Sequence, residues 1–299
     1  MLSPACRLAC RPEGRVKTLP DYEAPQLVPK PAEPERVAVR FDTWWLLVIA
    51  VAGLLAFLVL GKPDPFRRIV VFVTDGLWVT IRITVVSFVL ILIAGLIGGL
   101  GRIAKNPIIH GIASLYVEII RGIPLLVQLL FIYYASPQLL SAVGRAVAGA
   151  IPALAGPAEA LIGVQLDPFV AAVFGFTICY GAYMSEIYRA GIQSIPKGQM
   201  EAARSLGMSY AQAMRYVILP QAVRVILPPV GNEFVALLKD SSLVSAVAVA
   251  DLTRRGREFM SSTLLSLETW SVVALIYLVM TLFSSRVVSY IERKMSVGR

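Results

Sequence analysis

Six long segments of this 299-residue chain are strongly apolar, and this feature limits what the chain can fold into. They are residues 43–60, 78–100, 114–135, 168–188, 221–250 and 269–285. Each is close to or above the roughly 20 residues that an α-helix needs to cross a bilayer. Because lipid offers no hydrogen bonds to a backbone, such segments cross as helices. The sequence therefore predicts an all-α membrane protein with about six transmembrane helices.

The composition agrees with a membrane protein and removes several function classes. Apolar residues make up 57% of the chain and charged residues 16%, against roughly 45–50% and about 25% in soluble domains. The cysteines Cys6, Cys10 and Cys179 lack the paired spacing of a disulfide framework. A single histidine, His110, argues against a histidine-based metal site, and the sequence has no GxxxxGK[ST] phosphate-binding motif. No metal or cofactor is expected in this chain.

The segments between the predicted helices define the organisation of the chain. Residues 1–40 are rich in proline and basic residues, which predicts a disordered tail. Residues 41–68 predict an extra N-terminal helix with its loop, and residues 69–295 predict a membrane core. Within this core, residues 136–167 predict an insertion with at most a short interfacial helix. Residues 189–220 predict a basic loop.

The placement of Lys and Arg residues predicts the orientation. With six helices, the tail and the segments 101–111, 189–224 and 286–299 share one side and hold most of these residues. The positive-inside rule makes this side the cytoplasm, so the tail, the basic loop and both termini are predicted to be cytoplasmic. The 136–167 insertion is then extracytoplasmic. Three arginines within residues 254–257 also fall outside, against the rule.

The basic loop carries the most distinctive short pattern. Glu201-Ala202-Ala203 is followed after three residues by Gly207, and after nine more by Val217-Ile218-Leu219-Pro220. Residues 199–206 predict a short helix that Gly207 can end in a left-handed conformation. Ser209 predicts the N-cap of a second helix, which the proline at the end of the pattern should interrupt. From spacing alone, this is a helix-turn-helix in a cytoplasmic loop.

This pattern resembles the loop shared by permease subunits of ABC importers. Further segments are similar to the polar amino-acid branch of that family, the histidine/glutamine/arginine-type permeases. They are Gly76-Leu77-x2-Thr80-x3-Thr84, Arg121-Gly122-Ile123-Pro124-Leu125, Gly181-Ala182-Tyr183-x2-Glu186-x2-Arg189-x-Gly191, Ile195-Pro196-Lys197-Gly198-Gln199 and Lys239-Asp240-Ser241-Ser242-Leu243. The resemblance covers residues 70–295. The family core has five spans, so residues 43–60 form an added helix.

The resemblance implies a function and a set of partners. The chain would be the permease subunit of an ATP-driven importer in the bacterial cytoplasmic (inner) membrane, moving a polar amino acid by alternating access. The Glu201–Gly207 helix would dock on a separate ATPase subunit that holds ATP and Mg, so this chain would not be an enzyme. Two ATPase subunits, a second permease chain (identical or paralogous) and an extracytoplasmic amino-acid-binding protein would complete the system, with no nucleic acid.

Arg121 is the first candidate for the substrate site. A charge at the bilayer centre costs about 2.5–3.5 kcal/mol on insertion scales, so it normally faces protein or water. Arg121, Pro124 and Gln128 have the i, i+3, i+7 spacing of one helix face, and Pro124 breaks that helix. A guanidinium beside a broken helix suits a substrate carboxylate. The alternative is an ion pair between Arg121 and Glu118.

Glu186 is the second candidate, with Tyr183 one turn before it. Its carboxylate can accept the ammonium group of an amino acid. The alternative is an ion pair with Arg189, three residues further on.

A third polar segment follows Pro228, Pro229 and Gly231, which predict another broken helix. This segment is predicted to form a gate or to line the pathway. The alternative is a simple ion pair between Lys239 and Asp240. The candidate residues of this segment are Asn232, Glu233, Lys239 and Asp240.

Three other functions compete with the importer hypothesis. A stand-alone secondary transporter or channel would need its own coupling-ion site and inverted repeats, and no internal duplication is visible. A membrane enzyme using Glu186, Asp240 or Cys179 would need acid–base groups within mutual reach, and the sequence offers no recognisable set. A passive anchor needs none of the polar residues inside the spans.

Overall fold

The computed structural model describes residues 44–296, and within this range it contains helices and connecting turns but no strands. This confirms the all-α prediction. The predicted tail, residues 1–40, lies outside the described residues.

The first three helices are α1 (Trp44–Gly61), α2 (Pro63–Ile103) and α3 (Pro107–Gly122). Helix α2 has 41 residues with a kink at Asp64, which gives a length of about 60 Å at 1.5 Å per residue. The side chain of Asn106 begins α3 by accepting hydrogen bonds from the backbone N–H groups of Ile108 and Ile109.

The predicted break at Pro124 is present, but the predicted span at residues 114–135 is wrong in its boundaries, because the apolar helical segment runs from Leu125 to Ala150. Pro124 has no N–H, and the residue before a proline avoids the helical region, so Ile123 is extended (φ −110°, ψ 132°). A second helical segment follows the break without interruption. It consists of α4 (Leu125–Leu130), a π turn (Phe131–Ala135) and α5 (Ser136–Ala150).

Helix α5 also corrects the prediction that residues 136–167 are mainly a loop. The Gly-, Pro- and Ala-rich composition suggested a loop, but Pro137 occupies the first turn of α5, where its missing N–H costs nothing. A 3-10 turn (Pro152–Leu154) and the short α6 (Ala155–Glu159) follow. Helix α7 (Pro168–Gln193) then begins at Asp167, which caps it with two side-chain hydrogen bonds.

The basic loop contains α8 (Lys197–Ser205) and α9 (Tyr210–Ala213). A π turn (Met214–Ile218) joins α9 to α10 (Leu219–Asp240) without a break. Pro220 was therefore wrongly predicted to interrupt this helix. The backbone N–H of Leu219 bonds the Met214 carbonyl, five residues back, so the helix widens before the proline instead of ending.

The predicted break at Pro228-Pro229-Gly231 is also wrong, because α10 continues through all three residues. Prolines are tolerated inside membrane helices, where neighbouring groups satisfy the freed backbone. A 3-10 turn (Ser241–Val247) leads to α11 (Leu252–Thr263), and α12 (Ser266–Ser296) ends the described chain.

Five helical segments of the described chain are long and apolar enough to cross a membrane: α1, α2, the continuous segment Leu125–Ala150, α7 and most of α12. The predicted span at residues 221–250 corresponds to α10, which is not among them. Helix α10 has 22 residues but carries Arg224, Glu233, Lys239 and Asp240. The exact number of six spans is therefore not confirmed.

The main core lies between α2 and α7. Three glycines of α2, Gly95, Gly98 and Gly99, face α7 so closely that a side-chain carbon would fall 2.2–2.9 Å from Met184, Ser185 or Tyr188. The absence of side chains at these positions allows the two helices to make close contact. Around this contact lie fully buried apolar side chains, including Ile83, Ile91 and Phe176.

A second apolar cluster joins the beginning of α2 to α11 and α12. The hydroxyl of Thr80 accepts a hydrogen bond (3.1 Å) from the backbone N–H of Leu252, and Gly76 lies against the backbone of Asp251. Since Gly99, near the other end of α2, contacts the end of α7 that leads to α8, helices α8 and α11 lie at opposite ends of α2.

Candidate functional site

Arg121 and Tyr183 come together across the α3–α7 contact. The Arg121 guanidinium carbon lies 5.2 Å from the centre of the Tyr183 ring, within the range of a cation–π interaction. Arg121 is exposed, and within residues 44–296 it makes no ion pair, so the predicted pair with Glu118 is not formed. Glu186 and Glu233 lie within electrostatic range of Arg121 but form no ion pair with it, so its guanidinium can still bind an anion.

The break between α3 and α4 gives Pro124 and Gln128 different surroundings from Arg121. The spacing of Arg121, Pro124 and Gln128 had suggested one continuous helix face. This face does not exist, because α3 ends at Gly122 and α4 begins at Leu125. The buried Gln128 points back at the break, and its amide nitrogen donates to the carbonyls of Ile120 and Ile123, each at 2.8 Å.

Glu186 is already engaged by two guanidinium groups. Arg189 bonds both oxygens of its carboxylate, and Arg102, in the last turn of α2, forms a further ion pair with it. The pair with Arg189 is the structural alternative considered for Glu186. An incoming ammonium group would compete with two resident cations here. The substrate role of Glu186 stays a prediction.

The last turns of α10 place the third set of candidates beside α7. The hydroxyl of Tyr180 donates to the Asp240 carboxylate at 2.7 Å, and Glu233 is half-buried within electrostatic range of Asp240 and Arg121. Lys239 is exposed, and the described ion pairs do not include one between Lys239 and Asp240. Asn232 is exposed on the same helix.

Sequence reasoning missed Arg102 and Tyr180. Arg102 meets Glu186 across 84 positions of sequence, and no local pattern connects the two. Tyr180 meets Asp240 across 60 positions of sequence, and no local pattern connects these two residues either.

The loop that contains α8 has the predicted helix ends. Gly207 adopts a positive φ of 85°, and the backbone N–H groups of Gly207 and Met208 close the end of α8 on the carbonyls of Arg204 and Ala203. Ser209 and Gln212 form a reciprocal capping box at the start of α9. Both helix ends are therefore fixed by local hydrogen bonds.

One face of α8 is exposed. Ala203 is buried against the rest of the chain, whereas Glu201 and Ala202 are exposed. Beside them, Leu206 is 83% exposed, and Tyr210 and Tyr216 are also exposed. Exposed apolar side chains next to a pocket of about 300 Å³ are typical of a protein-binding surface. The pocket is lined by Leu206, Gly207, Met208, Gln212 and Tyr216.

The three arginines that opposed the positive-inside rule lie on α11, and two of them have acidic partners. Arg255 bonds Asp75 at 2.5 Å and Glu258 at 2.8 Å, and Arg254 bonds Glu258 at 3.1 Å. Hydrogen bonding to Arg255 lowers the pKa of Glu258, whereas burial raises the pKa of Asp251. Within residues 44–296, His, Cys, Asp and Glu side chains form no group that would hold a metal.

Comparison with known proteins agrees with this architecture. Residues 91–297 match the family described as "binding-protein-dependent transport system inner membrane component". The chain is 38% identical over 223 residues to the glutamine transport system permease protein GlnP of Escherichia coli (strain K12), covering 75% of this chain and 92% of that protein. It is 39% identical over 223 residues to the L-cystine transport system permease protein TcyB of Bacillus subtilis (strain 168), covering 74% and 86%.

Two solved structures share the fold. The crystal structure of an amino acid ABC transporter with histidines superposes with a TM-score of 0.65 at 39% identity, covering 80% of this chain and 98% of that chain. An inward-facing MetNI methionine ABC transporter superposes with a TM-score of 0.57, and at 20% identity this likeness shows the fold alone.

The chain is a membrane-embedded transport subunit. This class follows from the helices that are long and apolar enough to cross a membrane, from the break beside Arg121 and from these matches. More particularly, the chain belongs to the family of binding-protein-dependent transport system inner membrane components. It is a permease subunit of an ATP-driven importer.

Proposed function

We propose that this permease moves a polar amino acid across the cytoplasmic membrane by alternating access. The observation that carries the proposal is the Arg121 guanidinium, which lies over the Tyr183 ring beside a helix break and has no carboxylate partner within the described residues. A guanidinium offers a carboxylate two parallel hydrogen bonds, and every amino acid has a carboxylate at its backbone. The named relatives that carry glutamine and cystine support this substrate class.

The site would have two ends. Arg121 and Tyr183 bind the carboxylate at one end, and Pro124 supplies the break that leaves space beside them. At the other end, Glu186 accepts the ammonium group only by displacing a guanidinium. Glu233 lies within electrostatic range of both Arg121 and Asp240, and neither Glu233 nor Asp240 forms an ion pair among the described residues. Glu186→Gln and Glu233→Gln, compared for substrate affinity, separate these two possibilities.

The end of α10 is proposed to line the pathway. Asn232, Glu233, Lys239 and Asp240 occupy the second half of that helix, and Tyr180 ties Asp240 to α7. A pathway between α7 and α10 would then change shape when either helix moves. Near-normal transport by a Lys239→Met, Asp240→Asn double variant would remove these two residues from the pathway.

Helix α8 would receive the driving force. Only Ser194, Ile195 and Pro196 separate α8 from α7, the helix that carries Tyr180, Tyr183 and Glu186. A partner that pulls on Glu201–Gly207 therefore displaces the substrate-facing helix directly. For transport, ATPase closure must favour one of the two conformations and the amino acid must bind the outward one better.

The proposal includes partners that this chain does not contain. ATP and Mg bind to two separate ATPase subunits, so the chain itself is not an enzyme. A second permease chain, identical or paralogous, forms the other half of the pathway, and an extracytoplasmic binding protein delivers the substrate. The transporter is surrounded by lipid in the inner membrane, with both termini and α8 in the cytoplasm.

Co-purification from the native membrane tests the assembly. A C-terminally tagged chain is expected to bring an ATPase with phosphate-binding motifs, and any second permease, into the purified complex. Glu201→Lys should release the ATPase, because it reverses the charge at the centre of the docking face. Glu159→Lys, the same change on the exposed α6, is the matched control and should release nothing. A stable oligomer of this chain that transports without an ATPase would contradict the proposal.

A further inference from the structure

The break between α3 and α4 leaves one backbone carbonyl without its helical partner. In a continuous helix the Ile120 carbonyl would accept from the N–H of residue 124, but that residue is a proline and has none. The nearest backbone replacement is the N–H of Ile123, at 3.4 Å. Away from water an unsatisfied carbonyl is costly, so this position needs another donor.

Gln128 supplies that donor from the far side of the break. Its amide nitrogen lies 2.8 Å from the Ile120 carbonyl oxygen and 2.8 Å from the Ile123 carbonyl oxygen, so both N–H groups are used. The residue is only 6% exposed. It therefore has no free donor for a substrate carboxylate, although its place in the sequence suggested a direct ligand.

These two hydrogen bonds also fix the base of the Arg121 side chain. Ile120 precedes Arg121 in the last turn of α3, so holding the Ile120 carbonyl holds the Arg121 backbone. The Tyr183 ring restrains the other end of the same side chain, 5.2 Å from the guanidinium. Without Gln128, the break would be a hinge between two helices. Holding a binding group in place before the ligand arrives increases affinity, because less ordering remains to be done on binding.

We infer that Gln128 is a positioning residue, which acts by holding Arg121 in its substrate-binding place and not by contacting the amino acid. The inference rests on the proposed amino-acid site at Arg121. It assigns to Gln128 an effect on the apparent affinity for substrate, with little effect on assembly or on the maximal rate.

The test measures KM and kcat of amino-acid uptake by the complete importer in proteoliposomes. Gln128→Leu, which keeps a similar size but has no donor, is expected to raise KM about tenfold and to change kcat less than about twofold. The matched control is Gln221→Leu, because Gln221 also donates its side-chain amide to a backbone carbonyl, that of Val217 at 2.8 Å, but not at a break. Its KM should stay that of the unmodified protein.

A double substitution separates positioning from direct binding. Arg121→Lys keeps the charge but loses the planar fork, so it should raise KM alone. If Gln128 acts through Arg121, adding Gln128→Leu to Arg121→Lys should raise KM by less than about twofold further. Multiplication of the two separate effects would overturn the inference, because it would mean that Gln128 binds substrate independently. An unchanged KM in Gln128→Leu would overturn it as well.

A shorter side chain covers the case in which Gln128→Leu does not assemble. Gln128→Asn keeps the amide but cannot span the same distance, so KM should again rise, and a KM equal to that of the unmodified protein would overturn the inference. The proposed function fails separately: in that case Arg121→Ala and Arg121→Lys would leave KM unchanged, whatever the Gln128 variants do.

Discussion

Two charged groups lie one turn apart along α7 but differ in how their charges are satisfied. At Glu186, one carboxylate is shared between Arg102 and Arg189, and the group joins α7 to α2. At Tyr183, three residues earlier, the guanidinium of Arg121 lies over an aromatic ring and forms no ion pair with a carboxylate of the described residues. In the first group, which we call the closed group, the carboxylate and both guanidinium groups are paired within the protein. The second, which we call the open group, has a charge without an ion-pair partner in the described residues, and we therefore propose that recognition occurs there.

The comparison predicts its largest effect at the open group. Arg121→Ala should lower amino-acid uptake at least about 100-fold, because it removes the only charge proposed to bind the substrate carboxylate. The ATPase should still co-purify. Lys105→Ala, which removes a cation from the exposed α2–α3 turn, is the control and should leave uptake unchanged. Normal uptake by Arg121→Ala would remove the distinction between the two groups.

At the closed group the expected loss is one of stability. Glu186→Gln leaves two guanidinium groups without their shared partner, which we expect to cost about 2 kcal/mol, since the side chains are only partly exposed. The midpoint of thermal unfolding in detergent should fall by several degrees. Exchanging the charges in an Arg102→Glu, Glu186→Arg double variant should recover part of this loss. Lost uptake at unchanged thermal stability would instead assign Glu186 to the substrate.

The glycine contact between α2 and α7 should show a smaller effect. Gly99→Ala places a carbon 2.9 Å from the Ser185 carbonyl oxygen and from the Tyr188 side chain, so the helices must separate at a cost of about 1–2 kcal/mol. Gly111→Ala on α3 meets nothing within 4 Å and should be neutral or slightly stabilising. Equal unfolding midpoints of the two variants would contradict this prediction, because they would show that the close α2–α7 contact beside the Arg102–Glu186 ion pair does not stabilise the protein.

The smallest effect is expected at α11, where the ion pair between Arg255 and Glu258 is more exposed than the cluster around Glu186. Because Arg255 lowers the pKa of Glu258, this pair stabilises the folded state above the ordinary pKa of a glutamate, and the gain is lost as pH falls through the lowered value. The Glu258 side chain is 37% exposed, so solvent limits the gain to below about 1 kcal/mol. Unfolding midpoints of the unmodified protein and Glu258→Gln should therefore differ at pH 7 and converge in acid. A constant difference would contradict the assignment.

Features set by local chemistry could be predicted from the sequence. Gly207 and Ser209 define helix ends through their own backbone and side-chain preferences, and the structure shows both. The break at Pro124 was predicted for the same reason. The family resemblance, which rests on several short motifs in order, is confirmed by the family match.

Features that depend on distant partners could not be predicted. Pro228 and Pro229 have strong local preferences against a helix, yet α10 continues through them. The ion pair between Arg102 and Glu186 joins residues 84 positions apart. The i, i+3, i+7 pattern placed Gln128 beside Arg121 on one face, although the break turns it back toward the carbonyls that the break exposes.

The most direct test measures amino-acid binding to the purified permease–ATPase complex in detergent, without the binding protein. Radiolabelled substrate should bind saturably to the complex, and this binding should be absent in Arg121→Ala but present in Glu186→Gln once that variant is assayed below its unfolding temperature. Such a result would place recognition at the open group. Retained binding in Arg121→Ala, with binding lost in a folded Glu186→Gln, would contradict the account and move the substrate to the closed group.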